Sequence, residues 1–351
     1  MMWLAPLSRL GCEISLRPLS FLAMWQGPIL IAGAGAIGST IGTLLQLAGD
    51  QVTLLGRAAH LQAIDRDGLR LEGLFGSHRA HGFALVDNLD ALAGRRFSLI
   101  ILAVKSYDTA AFASHLGALL AEDGIVVAAQ NGLGNLEQLA RYLGAGRLLG
   151  ARVIFGAELA PARVRVTVFA EPVALGPSPD LSGTASTALY ASAQRLSAHL
   201  TQAGIPSEAS TDIRPLLWTK LFYNAALNPL GALLRTHYGA LGADPALRRI
   251  MDGVIEEAFA VAHRLEIALP FANADAYREA FYGRLVPITY DHRPSMLVDL
   301  EQRGRTEIDA LNGRIVALGD ELGLAVEINR TLTDLIKACE RLRQSAREHR
   351  Q

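Results

Sequence analysis

The segment Gly33-Ala34-Gly35-Ala36-Ile37-Gly38 most constrains what this chain can fold into. It follows the short apolar run Ile29-Leu30-Ile31-Ala32 and opens a helical stretch over residues 36–48. In that setting the three glycines have separate duties. Gly33 permits a tight turn, Gly35 lets a pyrophosphate approach the backbone, and Gly38 lets the helix pack closely on the strand. The new helix then offers unpaired N–H groups and the positive end of its dipole, through Ala36, Ile37 and Gly38, to phosphate. Residues 18–49 carry no charged side chain. By hydropathy alone that run could be taken for a membrane span, since about 20 apolar residues suffice. Gly27, Pro28, Gly33, Gly35, Gly38, Gly42 and Gly49 break it up, so a strand, a turn and a buried helix are expected, and no membrane association.

Downstream, residues 52–55, 99–104 and 125–129 are short, β-rich and apolar on both faces, as central parallel strands are. Helical stretches such as 109–120 lie between them, which implies a doubly wound, Rossmann-type α/β sheet. Residues 164–169 and 173–176 suggest a hairpin, and residues 186–202 an amphipathic helix. From residue 212 strands give way to helical spacing over 212–228, 245–265, 272–281, 306–322 and 331–347. Residues 27–210 are therefore expected to form a dinucleotide-binding domain, and residues 211–345 an all-helical substrate and catalytic domain. Residues 1–26 read as an extension, disordered or upstream of a start at Met24.

Composition narrows the function. The 351 residues carry 33 basic and 34 acidic side chains, a net charge of −1. That balance lacks the basic stripe of a nucleic-acid binder. Cys12 and Cys339 form no CxxC pair and the nine histidines form no HExxH, so no metal site and no disulfide framework are expected. Two isolated cysteines suit a reducing cytoplasm. Of the 33 basic residues only Lys105, Lys220 and Lys337 are lysine.

Arg57 follows the second strand, where a dinucleotide fold reads the adenosine ribose. An acidic residue there favours NAD; a guanidinium can grip a 2′-phosphate, so NADPH is expected. Lys105 and Asn131, the latter in Gln130-Asn131-Gly132, end successive strands at the carboxyl edge of the sheet, where ligands bind. Lys220, Asn224 and Asn228 recur every four residues and share one helical stripe in an otherwise apolar segment. Asparagine is a poor helix former, so this stripe is expected to line a cleft. Lysine can stabilise a developing alkoxide and then release a proton; arginine cannot. Glu307 is expected in the first turn of a helix started by Thr306 and Asp309, ionised and favoured by the dipole. Ser295, after Pro294, reads as a helix N-cap. Lys337 has no role that the sequence suggests.

Together these motifs resemble the ketopantoate reductase (2-dehydropantoate 2-reductase) family. The resemblance rests on GAGAIG, Arg57, VKSYDT from Val104, QNG from Gln130, the K-x3-N-x3-N-P helix, and Ser295-Met296-Leu297 followed by Arg305-Thr306-Glu307-Ile308-Asp309. It implies NADPH-dependent reduction of a 2-oxo acid to a 2-hydroxy acid in pantothenate biosynthesis. By matching position it implies Lys220 as proton donor and Glu307 as its catalytic companion. It implies Asn131, Asn224, Asn228 and Ser295 at the substrate. Gly33, Gly35, Ala36, Ile37, Gly38, Arg57, Lys105, Asn131 and Glu307 are implied around the cofactor. A homodimer is compatible with it. Two positions depart from the family pattern: Asp108 stands where glutamine is usual, and Tyr238 where asparagine is usual. Tyr238 leaves open a different 2-oxo acid. A silent NADP-binding regulator is the remaining alternative, and it would have little reason to keep Lys220 with Glu307.

Overall fold

The computed structural model describes residues 25–177 and 183–348. The expectation about the N-terminal extension thus lies almost wholly outside the described residues. The first half alternates strands and helices: β1 Ile29–Ala32, α1 Ala36–Leu47, β2 Val52–Leu55, α2 Ala58–Asp67, β3 Leu69–Gly73, β4 His78–Ala80, β5 Ala84–Val86, β6 Phe97–Leu102, α3 Thr109–Leu119, β7 Leu120–Ala128, α4 Asn135–Leu143, β8 Leu148–Arg152, β9 Phe155–Ala160, β10 Arg163–Phe169, β11 Val173–Pro177, α5 Gly183–Gln202 and β12 Ser207–Ala209. Eight strands form one sheet in the order β12-β11-β8-β7-β6-β1-β2-β5. From β8 to β5 all neighbours are parallel; β11 runs antiparallel to β8. The chain leaves β1 for β2 on one side and later returns to its other side as β6. That reversal of direction creates a crevice at the carboxyl ends of β1 and β6.

A second sheet, in the order β4-β3-β10-β9, was not foreseen. It explains the uncharged run around the glycines. α1 lies between the two sheets: Ile41, Leu44 and Leu45 share one core with Ile29 and Ile31 on one side and Leu69, Leu71, Val164 and Val166 on the other. Every residue from Gly38 to Leu45 is buried. A helix covered on opposite faces has no outer face on which to place charge. The expected hairpin is also corrected. β10 pairs antiparallel with β9, whereas β11 joins the large sheet beside β8. The two runs belong to different layers despite their short connection.

Helices follow: α6 Arg214–Leu234, α7 Tyr238–Ala243, α8 Pro245–Arg264, α9 Ala274–Ala280, a π turn Phe281–Leu285 leading into α10 Val286–Ile288, α11 Ser295–Gln302, α12 Asn312–Leu322 and α13 Glu327–Glu348. Their core is separate, built on Trp218, Phe222, Leu230, Met251, Phe259, Tyr277 and Phe281. No described helix is long and apolar enough to cross a membrane.

α6 continues six residues past Asn228 although Pro229 lies inside it. Proline supplies no N–H to the carbonyl four residues back, which is Ala225. Asn312, at the first position of α12, donates its Nδ2 to that carbonyl at 3.0 Å, and also to Asn329 Oδ1 at 3.0 Å. The polar stripe of α6 therefore stays helical across the proline.

The glycine loop separates packing from ligand access. A Cβ on Gly38 would lie 2.1 Å from the Gly33 carbonyl oxygen, and a Cβ on Gly33 (φ +112°) 2.6 Å from the backbone of Ala103 and Val104. A Cβ on Gly35 would meet nothing within 4 Å. We predict that Gly38→Ala lowers unfolding free energy by about 2–3 kcal/mol in urea titrations, as overpacking does. Gly35→Ala should leave it within about 0.5 kcal/mol, as changes away from packed features do.

Candidate active site

Five segments meet at the crevice: the glycine loop, the turn after β6, the turn after β7, α6, and the stretch from α11 to α12. β6 ends at Leu102, so Lys105 lies three residues beyond the strand and not at its last position. From there it crosses to the helical half. Its Nζ is 2.6 Å from Asp299 Oδ2 on α11 and 3.0 Å from Glu307 Oε2. The Ser106 N–H donates to Glu307 Oε1 at 2.9 Å, and Asn131 Nδ2 approaches Oε2 at 3.4 Å. Glu307 is thus held by a cation, a backbone amide and a side-chain amide.

This differs from the expected helix start. Glu307 precedes a single 3₁₀ turn, Ile308–Ala310, and α12 begins only at Asn312. The helix dipole is not what stabilises the carboxylate. Burial pushes the Glu307 carboxyl up, but Lys105 and the donors from Ser106 and Asn131 outweigh it and hold it below its ordinary value. Burial likewise opposes the Lys105 ammonium, yet Glu307 and Asp299 together raise it above the usual lysine range. Asp299 is raised by burial, against the pull of Lys105 and with repulsion from Glu307.

Lys220 has the opposite environment. Among the described residues its Nζ has no hydrogen-bond or ion-pair partner, and it keeps some accessible surface. Burial lowers its ammonium, Glu307 partly restores it, and Arg152 lowers it further, to about 8. Arg152, at the end of β8, is itself ion-paired to Glu171 at 2.6 Å. The two lysines are therefore differentiated by their carboxylates: Asp299 and Glu307 both bond Lys105, whereas Glu307 only influences Lys220 from a distance.

The asparagine stripe is intact but mostly sealed. Asn224 and Asn228 are buried, and Asn228 Nδ2 donates to Asn224 Oδ1 at 3.2 Å. Ser295 is the first residue of α11 behind the cap position Pro294, not the cap itself. It is exposed, and its Oγ lies 3.4 Å from Asn228 Oδ1. Tyr238 is buried and donates its hydroxyl to that same Oδ1 at 3.2 Å.

Asn131-Gly132 is more than a turn. At Gly132 (φ +79°) a Cβ would sit 2.2 Å from the Ala310 carbonyl oxygen, which accepts the Leu133 N–H at 2.9 Å. Only glycine lets the β7 turn dock on the segment that carries Glu307. Asp108 faces Arg305 and Arg303; burial raises its carboxyl and the two guanidiniums oppose this. Arg305 also stacks over Tyr107 at 4.2 Å.

Two further residues support the site in ways their sequence positions do not announce. Asp299 interrupts an apolar helix face formed by Met296, Leu297 and Leu300, all buried, and an acid at that position was a readable signal. Lys337 was set aside, yet it pairs with Asp309 and with Glu340 at 3.7 Å. Glu340 in turn accepts from the Thr306 N–H and hydroxyl, both at 2.7 Å. α13 thereby anchors the short segment on which Glu307 is mounted.

The residues fit a dinucleotide. The open space above Gly35 lies at the N-terminus of α1, where unpaired N–H groups converge. Arg57 caps the start of α2, is exposed, and has no ion pair among the described residues. Gly56 beside it packs against Ala34 of the glycine loop, so Arg57 leaves the backbone next to that loop. No group of three or more metal-ligating side chains occurs among the described residues.

Comparison with known proteins shows the family. Residues 29–180 match the family model described as Ketopantoate reductase PanE/ApbA, and residues 212–340 match its C-terminal counterpart. The 2-dehydropantoate 2-reductase of Aquifex aeolicus is 35% identical over 314 residues, covering 89% of this chain and 96% of that protein. A crystal structure of a PanE/ApbA family ketopantoate reductase from Ralstonia eutropha is 34% identical, with a TM-score of 0.77, covering 90% of this chain and 99% of its own. A ternary structure of D-mandelate dehydrogenase with NADH and anilino(oxo)acetate has a TM-score of 0.79 at 25% identity, with coverage of 90% and 99%. The chain belongs to the ketopantoate reductase PanE/ApbA family of nicotinamide-dependent oxidoreductases.

Proposed function

We propose that this protein reduces a 2-oxo acid to a 2-hydroxy acid with NADPH, that ketopantoate is its substrate, and that Lys220 supplies the proton. The observation that carries this reading is an acidified Lys220 with no partner among the described residues, while Glu307, which influences it from a distance, is committed to Lys105. The reduced nicotinamide, when bound, supplies hydride to the 2-oxo carbon. Lys220 meets the negative charge that then develops on oxygen and gives up a proton to it. An ammonium near pKa 8 is mostly protonated at neutral pH yet acidic enough to transfer. Glu307, kept ionised by Lys105, holds Lys220 charged until the step occurs. Ser295 at the exposed start of α11 receives the substrate carboxylate, with the helix N-terminus behind it. In this reading Asn131, whose Nδ2 approaches Glu307 Oε2 at 3.4 Å, lies near substrate and nicotinamide.

Arg57 supports NADPH over NADH, because a free guanidinium beside the glycine loop can take a 2′-phosphate in two bonds. One observation favours a second reading, a 2-oxo acid with another side chain. Tyr238 fills the far end of the asparagine stripe, and an aromatic 2-oxo acid analogue is bound in the mandelate dehydrogenase relative. A panel of 2-oxo acids followed by NADPH absorbance decides between them; equal or greater kcat/KM for an aryl 2-oxo acid than for ketopantoate would overturn the ketopantoate assignment.

Lys220→Ala should lower kcat by about 10²–10⁴-fold with NADPH affinity unchanged, as loss of a general acid does; near-normal turnover would remove Lys220 from the mechanism. Arg57→Ala should weaken NADPH by about 10–100-fold, equivalent to one charge-assisted contact, and NADH by under about threefold. Fluorescence titration of both cofactors reads this directly. Reduction requires the ammonium form, so kcat/KM should fall as pH rises through about 8. Because Glu307 raises the Lys220 value, Glu307→Gln should move that alkaline limb to lower pH. An unmoved or higher limb would contradict the electrostatic coupling.

A further inference from the structure

Asn228 Oδ1 has three donors around it: the Tyr238 hydroxyl at 3.2 Å, Ser295 Oγ at 3.4 Å and the Met296 N–H at 3.5 Å. The last of these fixes the orientation of the amide. A backbone N–H can only donate, so the atom facing it must be oxygen and not the amide nitrogen. Asn228 Nδ2 is then turned toward Asn224, which must answer with its own oxygen, as it does at 3.2 Å. The free end of Asn224 is consequently its NH2. That Nδ2 has no partner among the described residues and keeps accessible surface.

Tyr238 closes the other end of this relay. It is 2% exposed, its ring meets Tyr223 edge-on at 5.7 Å, and its N–H donates to the His292 carbonyl at 3.2 Å. Its hydroxyl has no acceptor other than Asn228 among the described residues. Ser295, by contrast, is exposed and can turn its hydroxyl to a ligand. An amide oxygen has two lone pairs. With Tyr238 and Met296 filling both, Ser295 is released.

We propose that Tyr238 is a positioning residue that locks the Asn228–Asn224 relay, so that Asn224 presents only a donor to the crevice and selects an oxygen acceptor on the substrate. Asn228 then also acts through Asn224, whose orientation it sets. This adds to its expected role, and it rests on the 2-oxo acid reading for the identity of the acceptor.

Three single variants, one double variant and one spectroscopic measurement test it. Tyr238→Phe keeps the ring and removes the hydroxyl. It should raise KM for the 2-oxo acid by about tenfold, the worth of one hydrogen bond, with kcat and NADPH affinity changed by less than about threefold. Asn228→Asp keeps an acceptor toward Tyr238 and Met296 but also turns one toward Asn224, which must then rotate and present oxygen to the crevice. Its KM should rise as far as that of Asn224→Asp, and adding Tyr238→Phe to Asn224→Asp should raise KM no further. Full additivity, or an unchanged KM in Tyr238→Phe, would overturn the proposal. Side-chain amide ¹⁵N NMR of the free protein needs no substrate. The Asn228 NH2 should exchange slowly with solvent and the Asn224 NH2 quickly, and Tyr238→Phe should release the former. Equal exchange of the two amides would refute the relay. The NMR outcome stands even if no 2-oxo acid is reduced, so failure of the relay and failure of the proposed activity are distinguishable.

Discussion

Glu307 lies within electrostatic reach of two ammonium groups and bonds one of them. Much of the site follows from that commitment. Asp299 and Glu307 enclose Lys105, and Asp299 also meets Arg303 at 3.6 Å. Lys220 feels the Glu307 carboxylate but has no bond to hold its proton, and burial makes the proton easy to lose. A second hydrogen-bonded carboxylate at Lys220 would raise its pKa and weaken it as an acid. On the proposed mechanism, pairing one lysine is what makes the other reactive.

The same contacts join the two halves of the molecule. Lys105 and Ser106 follow a strand of the large sheet, whereas Asp299 and Glu307 belong to the helical part. Gly132 permits the β7 turn to touch Ala310, and α13 ties down Thr306 and Asp309 through Glu340 and Lys337. Breaking a buried pair by removing one partner typically costs about 3–5 kcal/mol, so this junction is expected to be stiff. On the proposed mechanism its stiffness matters, because a misplacement of about 1 Å can cost about 10²-fold in rate.

The sequence made the large sheet legible because central strands and a glycine loop have local signatures. Gly33 takes the positive φ of a tight turn, Gly38 packs against it, and Gly35 faces open space. The second sheet was not legible: β3 and β10 pair across about ninety residues, and no local period reports such a partner. Its trace was indirect, in the absence of charge over α1. Lys220, Asn224 and Asn228 were readable as one stripe because helical periodicity is local. That Glu307 would prefer Lys105 was not, since the choice depends on a 3₁₀ turn that a helical pattern over 306–322 conceals. Tyr238 drew notice only as a departure; its contact with Asn228 needed the fold.

The chain has only three lysines, and this makes the central claim directly measurable. Labelling lysine with ¹⁵N at Nζ gives three signals to follow against pH. The account predicts that one signal, absent in Lys220→Met, titrates with a midpoint near 8, while that of Lys105 stays protonated beyond the usual lysine range. Titration of Lys220 at or above the ordinary lysine value, or of both active-site lysines together, would contradict it.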